Sequence, residues 1–278
     1  MKNPIPLVTL NNGVTMPQLG LGVFKTQEGS EVETAVRAAL DVGYRLIDTA
    51  KLYGNEAGVG NALKASGIPR EELFVTTKLW NDDQGYDSTL RAFDASMKRL
   101  DLEYLDLYLI HWPTPSRGLF KETWRAFEKL YKEKRIRAIG VSNFKPHHLD
   151  ELLAGSEVVP AVNQIELHPL LQQKETRDYC KAHNIQVESW GPIGGAGATL
   201  LQDVRLQIIA EKHGKSPAQA VLRWHIQNDL VVIPKSVHEE RIKENADIFD
   251  FSLDSEDMSI INSMDSGGRH GPDPDVVS

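Results

Sequence analysis

The sequence predicts a single α/β domain of the (β/α)8 TIM-barrel class, and three observations carry that expectation. The chain has 278 residues, close to the roughly 250 of one such barrel. Short apolar, β-branched runs alternate with helical periodicity from about residue 44 to residue 251, as expected of parallel strands covered on both faces. The alternation repeats eight times, the number that closes a barrel.

The elements follow in order. Leu7–Leu10 and Val14–Pro17 flank Asn11-Asn12-Gly13, a hairpin turn signal. A hairpin over 7–17 stands outside the repeat and is placed to plug the bottom of the barrel. Strands are expected at Arg45–Asp48, Phe74–Leu79, Leu105–His111, Ala138–Asn143, Val162–Leu167, Gln186–Gly191, Leu230–Lys235 and Ile248–Phe251. Between them, Val32, Val36 and Leu40 make one helical stripe and Phe120, Trp124, Phe127 and Leu130 another. Ser88, Ser216 and Ser255 are expected N-caps, with Pro217 in a first turn. Residues 252–278 read as an extra helix over Ser252–Asp265 followed by a loosely ordered Gly/Pro/Asp tail. No composition break divides residues 1–278. A doubly wound nucleotide-binding sheet is disfavoured, because neither G-x-G-x-x-G nor a P-loop occurs.

Composition narrows the function. Hydrophobic residues make up 41% and charged residues 25%, the soluble globular range. Cys180 is the only cysteine, so an internal disulfide and a cysteine-rich zinc site are both excluded, and no metal is expected. A net charge of −8 argues against nucleic acid or anionic membrane as a partner. No apolar run approaches the ~18 residues that span a bilayer. The N-terminal residues lack the pattern of a secretion signal, and a cytoplasmic location is expected.

In a barrel the active site is built at the carboxyl ends of the strands. There the sequence offers Asp48, Lys78 and His111, with Tyr53 in the loop after Asp48, and Asn143, Gln164, Trp190 and Lys235 at later ends. Taken singly, Asp48 reads as a turn former, Tyr53 as a surface residue and His111 as a core histidine. Lys78 is the odd one, a charge inside the buried pattern Val75-Thr76-Thr77-Lys78-Leu79-Trp80. A buried lysine needs a carboxylate partner, and Asp48 is one strand away. Together the four can deliver a proton to a carbonyl oxygen. A phenol titrates near ~10, a neighbouring ammonium lowers that value, and a carboxylate keeps the ammonium charged.

At this point the chain resembles the aldo-keto reductase family. Gly43-Tyr44-Arg45-Leu46-Ile47-Asp48-Thr49-Ala50, followed by Tyr53-Gly54-Asn55-Glu56, is similar to its first signature. Thr76-Thr77-Lys78-Leu79-Trp80 and Asp106-Leu107-Tyr108-Leu109-Ile110-His111-Trp112-Pro113 resemble its lysine and histidine strands. Gly140-Val141-Ser142-Asn143-Phe144, Val162-Asn163-Gln164-Ile165-Glu166 and Ile233-Pro234-Lys235-Ser236 match as well, the last followed by Arg241, Glu244 and Asn245. The resemblance spans nearly the whole chain. It is nearest in pattern to short microbial members such as the 2,5-diketo-D-gluconic acid reductases, in which tryptophan often stands where Trp190 does.

The resemblance implies Tyr53 as general acid, Lys78 and Asp48 as the pair that tunes it, and His111 as the group that orients the carbonyl. It implies an NADPH/NADP+ site: Ser142, Asn143 and Gln164 on the nicotinamide carboxamide, Trp190 stacked on the ring, Val23 and Phe24 beside it. Gly191, Pro192, Ile193 and Gly194 would line the pyrophosphate. Lys235, Ser236, Val237, His238 and Arg241 would meet the adenosine 2′-phosphate, with Glu244 and Asn245 near the adenine. Independently, an ammonium and a forked guanidinium in one loop suit a phosphate. NADH would gain nothing from those cations. His238 stands where the gluconate reductases tend to have arginine. Because histidine is only partly charged at neutral pH, the preference over NADH is expected to be weaker.

Only Trp112–Leu119 separates the third expected strand from the next helix, so Phe24, Trp80, His111 and Trp112 would line a spare substrate site. Small aldehydes, dicarbonyls, keto acids or esters are the expected substrates, 2,5-diketo-D-gluconate among them, and the family implies a monomer. Two other readings remain at this stage. One is an NADPH-binding relative without turnover. The other is an isomerase or aldolase barrel using Lys78, which would need a lysine free of carboxylate.

Overall fold

Asn11, Asn12 and Gly13 reverse the chain as expected, pairing β1 (Leu7–Thr9) antiparallel to β2 (Thr15–Pro17) with Leu7 opposite Pro17. In the computed structural model, which describes residues 4–195 and 199–278, this hairpin closes the bottom of an eight-stranded parallel sheet. Leu10 and Met16 pack against Leu46, Phe74, Val162 and Val231, each the first residue of its barrel strand.

The barrel strands are β3 (Gly20–Gly22), β4 (Leu46–Asp48), β5 (Phe74–Leu79), β6 (Leu105–Ile110), β7 (Ile136–Ser142), β8 (Val162–Glu166), β9 (Gln186–Trp190) and β10 (Val231–Val232), paired in chain order. Closure comes from parallel bridges of Leu19 to Val232 and Gly22 to Lys235. The Val232 N–H donates to the Gln18 carbonyl at 2.9 Å.

The helices are α1 (Ser30–Val42), α2 (Glu56–Ala65), α3 (Tyr86–Leu100), α4 (Phe120–Lys132), α5 (Pro146–Leu153), α6 (Lys174–Ala182), α7 (Val204–His213), α8 (Pro217–Gln227), α9 (Glu239–Ala246) and α10 (Ser255–Asn262). Val32, Val36 and Leu40 of α1, and Phe120, Trp124, Phe127 and Leu130 of α4, are all buried in the layer between sheet and helices. The two stripes therefore face inward as their spacing requires. The helix α7 is an insertion between β9 and α8, and α10 lies beyond the repeat.

Three expectations need correction. The barrel begins at Gly20–Gly22, so Arg45–Asp48 belongs to its second strand rather than its first. Glycine is depleted in strands, which hid β3 from a reading by propensity. The glycines are required by close approach: a Cβ on Gly20 would fall 2.4 Å from Leu46 Cγ, and one on Gly22 2.8 Å from the Ile233 carbonyl oxygen. With that place filled, Ile248–Phe251 is not a strand, and the Ile248 carbonyl accepts from the Arg223 guanidinium instead.

The second correction concerns caps. Ser216 caps α8 in a reciprocal pair with Gln219. Ser88, however, donates to the Gln84 carbonyl inside α3, and Asp254 rather than Ser255 caps α10. Third, the tail is not loose. Glu166 holds the backbone N–H groups of His270 (2.6 Å) and Gly271 (2.9 Å), and Lys145 pairs with Asp273 and Asp275.

Candidate active site

Lys78 points into the barrel from the end of β5 and is fully buried. Its ammonium donates to Asp48 Oδ1 (2.5 Å), the Thr49 carbonyl (3.0 Å) and the Tyr53 hydroxyl oxygen (3.4 Å). Those three bonds use all three ammonium hydrogens. An ammonium can only donate, so the phenol oxygen accepts from Lys78 and keeps its own hydrogen for a substrate. Burial works against the Lys78 charge, but the neighbouring Asp48 carboxylate outweighs it and the pKa is held above the ordinary value. Burial lifts the Asp48 carboxyl, while Lys78 and Gln164 pull it back. Burial also raises the Tyr53 pKa, and the nearby Lys78 charge opposes that shift without reversing it. The phenol is therefore protonated at neutral pH, the state a general acid requires.

The loop bearing Tyr53 is held by the residues around it. Tyr53 ends a 3-10 turn, Lys51–Tyr53, and Lys51 pairs with Asp83. Asn55 is wholly buried and donates to the carbonyls of Val23 and Thr26 (both 2.9 Å) while accepting from the Thr49 hydroxyl (2.7 Å). Glu56 accepts from Thr77 (2.6 Å) and pairs with Arg99. Asn55 and Glu56 thus tie the acid's loop to β5 and to the loop after β3.

His111 follows β6, its ring 5.8 Å from that of Tyr53 and edge-on to it. Burial, reinforced by the Lys78 charge, holds its imidazole well below its ordinary pKa, so the ring is neutral and donates from one nitrogen only. Trp80 packs edge-on at 5.2 Å and Trp112 stacks at 6.5 Å from this ring. Phe24, 48% exposed, lies 5.0 Å from the Tyr53 ring. Phe24, Trp80 and Trp112, expected with His111 to line the substrate site, therefore gather around Tyr53 and His111.

Ser142, Asn143, Gln164 and Trp190 form one network. Ser142 Oγ donates to the Gln164 carbonyl (2.8 Å), and Asn143 Nδ2 donates to the His111 carbonyl (3.0 Å) and to Ser142 Oγ (3.1 Å). Trp190 Nε1 donates to Asn143 Oδ1 at 2.8 Å. Asn143 adopts a left-handed backbone (φ 65°), a region asparagine tolerates, which turns its side chain toward Trp190. Gly191 to Gly194 make a turn directly after β9, closed by the Gly194 N–H on the Gly191 carbonyl.

Lys235, Ser236, Val237 and His238 follow β10, and Arg241, Glu244 and Asn245 lie on α9. The Gly22 bridge places Lys235 at the same end of the barrel as Val23, although among the described residues no hydrogen bond or ion pair joins this loop to the four catalytic candidates. Lys235 and Arg241 are exposed and have no carboxylate partner among the described residues, a donor set that fits a phosphate. Glu244 is engaged by the Ser216 hydroxyl, and Asn245 is buried.

The structure adds groups the sequence reading passed over. Glu188, on β9 two residues before Trp190, is fully buried and accepts from Gln164. Period-two alternation from Trp190 would have placed it inside the barrel. Glu166, the last residue of the Val162–Glu166 motif, anchors the tail beside Trp190. The aldolase reading does not stand, because Lys78 has Asp48 as its partner.

The Aldo/keto reductase family matches residues 18–266. The chain is 58% identical to the glyoxal reductase of Bacillus subtilis over 97% of this chain and 96% of that one. It is 49% identical to the methylglyoxal reductase DkgA of Escherichia coli, covering 99% and 98%. Among solved structures, a Gox0644 variant in complex with NADPH superposes with a TM-score of 0.93 at 49% identity, covering 99% of this chain and all of that one.

Proposed function

Because this chain belongs to the aldo/keto reductase family and so is an NADPH-dependent carbonyl reductase, we propose that it reduces small aldehydes and dicarbonyls with Tyr53 as proton donor. The observation that carries this reading is the Tyr53 oxygen accepting from a Lys78 that Asp48 keeps charged. His111, neutral and beside the phenol, presents an N–H to the same carbonyl oxygen and fixes its position. As negative charge grows on that oxygen, Tyr53 gives up its proton and Lys78 stabilises the phenolate left behind. NADPH supplies the hydride to the carbonyl carbon when bound.

Ser142, Asn143 and Gln164 would hold its carboxamide, with Trp190, Val23 and Phe24 around the ring. Gly191, Pro192, Ile193 and Gly194 would take the pyrophosphate. Lys235, Ser236, Val237, His238 and Arg241 would take the 2′-phosphate, and Glu244 and Asn245 would border the adenine.

The substrate class rests on Phe24, Trp80 and Trp112, aromatic side chains packed around Tyr53 and His111. Relatives named for glyoxal and methylglyoxal support it, and keto acids, keto esters and 2,5-diketo-D-gluconate belong to the same proposal. The chain is read as a cytoplasmic monomer: a single, buried cysteine fits a reducing compartment, and the monomer follows from the family resemblance. Among the described residues no helix is long and apolar enough to cross a membrane.

NADPH oxidation against a panel of small dicarbonyls, keto acids, sugars and steroid ketones tests the proposal. Tyr53→Phe is expected to lower kcat by roughly 10²–10⁴ with NADPH binding kept. Undiminished turnover in that variant removes Tyr53 from the mechanism, and equal rates on steroid ketones remove the substrate class.

A further inference from the structure

Glu188 is a carboxyl group that neither the proton transfer nor the packing requires. It lies wholly inside the barrel, and its Oε1 has no hydrogen-bond partner among the described residues. Burial and the neighbouring Asp48 push its pKa up to about 8, against the pull of Gln164 and Lys78. An apolar side chain of the same volume would avoid the cost of a buried, half-satisfied carboxyl.

What the group does is hold Gln164. Gln164 Nε2 donates one hydrogen to Asp48 Oδ2 at 2.9 Å and the other to Glu188 Oε2 at 2.8 Å. The amide nitrogen has two hydrogens and both are used. With Asp48 alone the amide plane could turn about that single bond. The second anchor, from the neighbouring strand β9, fixes the plane. Flipping the amide would forfeit both of these bonds and set its oxygen against the Asp48 carboxylate. Gln164 Oε1 is left as an acceptor with no partner among the described residues. Hydrogen bonds also run without a break from Glu188 through Gln164, Asp48 and Lys78 to Tyr53.

We propose that Glu188 is a positioning residue: by pinning the Gln164 amide, it keeps Gln164 Oε1 presented to the N–H of the nicotinamide carboxamide. This rests on the cofactor placement given above. It assigns Glu188 no part in proton transfer, since it acts through Gln164 alone.

The test is calorimetric binding of two ligands, NADPH and adenosine 2′,5′-bisphosphate, which shares the phosphate end but has no nicotinamide. They are measured on the wild type, Glu188→Leu and Glu188→Gln. Leucine removes the acceptor at similar volume and is expected to weaken NADPH about tenfold while leaving the bisphosphate unchanged. Glutamine keeps an acceptor for Gln164 and is expected to stay within about threefold of the wild type for both ligands. NADPH binding by the leucine variant equal to that of the wild type overturns the proposal. So does an equal loss of both ligands, which would mark a role in the fold. A glutamine variant as weak as leucine toward NADPH also overturns it. Glu188→Ala takes the place of leucine should that variant not fold. If the wild type itself binds no NADPH, the cofactor placement falls first, an outcome distinct from failure of the Glu188 role.

Discussion

Lys78 Nζ lies 2.5 Å from Asp48 Oδ1 with both side chains cut off from solvent, at 0% and 2% exposure. Removing one partner strands the other charge where water cannot reach it. Lys78→Met is expected to cost roughly 3–5 kcal/mol in urea unfolding at pH 7. Adding Asp48→Asn should recover much of that loss, because no uncompensated charge remains, while carbonyl reduction stays abolished. Equal stability of the Lys78→Met variant and the wild type would show that the pair does not carry the site.

His111 supplies a prediction about pH. Burial and the Lys78 charge depress its pKa, so the ring takes up a proton only well below the ordinary histidine range. The neutral form is therefore fully present through neutral and mildly acidic pH, and activity that needs it is lost only as pH falls through the depressed value. The profile of kcat for carbonyl reduction is expected to show no inflection near pH 6.5. A descending limb centred there would mean that His111 titrates as an exposed histidine.

The same features explain which parts of the molecule were legible in the sequence. Long strands such as Phe74–Leu79, with three β-branched residues, and Leu105–Ile110, with three leucines and an isoleucine, announced themselves through their predominantly buried-strand pattern, and the catalytic candidates stand at or just beyond strand ends. Gly20–Gly22 escaped because its function is to have no side chains, which leaves no hydrophobic signal. Ile248 mimicked a strand because it is buried, yet its backbone is satisfied by Arg223 instead of a ladder. Gly, Pro and Asp made the tail look loose. Its order comes from Glu166 and Lys145, partners more than a hundred residues away in sequence. Local pattern cannot carry such contacts.

Lys235, in the loop after β10, and Arg241, in the first turn of α9, are exposed cations without carboxylate partners among the described residues, proposed to meet the 2′-phosphate. If they serve that phosphate, Lys235→Ala and Arg241→Ala should each weaken NADPH by roughly 10–100-fold, the range of a charge-assisted hydrogen bond, and leave NADH nearly unchanged. His238→Arg adds a guanidinium at the start of α9 and should sharpen the preference for NADPH. Initial rates with both nucleotides check this. Parallel losses with NADPH and NADH would place the phosphate elsewhere.

Glu166 and Gly271 connect the tail to the Trp190 ring. Glu166 accepts the N–H groups of His270 and Gly271 and lies 3.1 Å from His168 Nε2, and these contacts hold its carboxyl below the ordinary range although burial acts the other way. A Cβ on Gly271 would fall 2.6 Å from Trp190 Cη2 and 3.0 Å from Glu166 Oε2, so no side chain fits there without displacing the ring. Gly271→Ala is therefore expected to tilt Trp190 and raise the KM for NADPH several-fold, with little effect on adenosine 2′,5′-bisphosphate. Glu166→Gln turns one acceptor into a donor facing backbone N–H groups, which should cost roughly 1–3 kcal/mol of stability and free the tail to exchange its amide hydrogens. Hydrogen exchange at residues 266–278 measures that release. Unchanged protection in the glutamine variant, or unchanged NADPH affinity in the alanine variant, would show that the tail lies against the ring without setting its position.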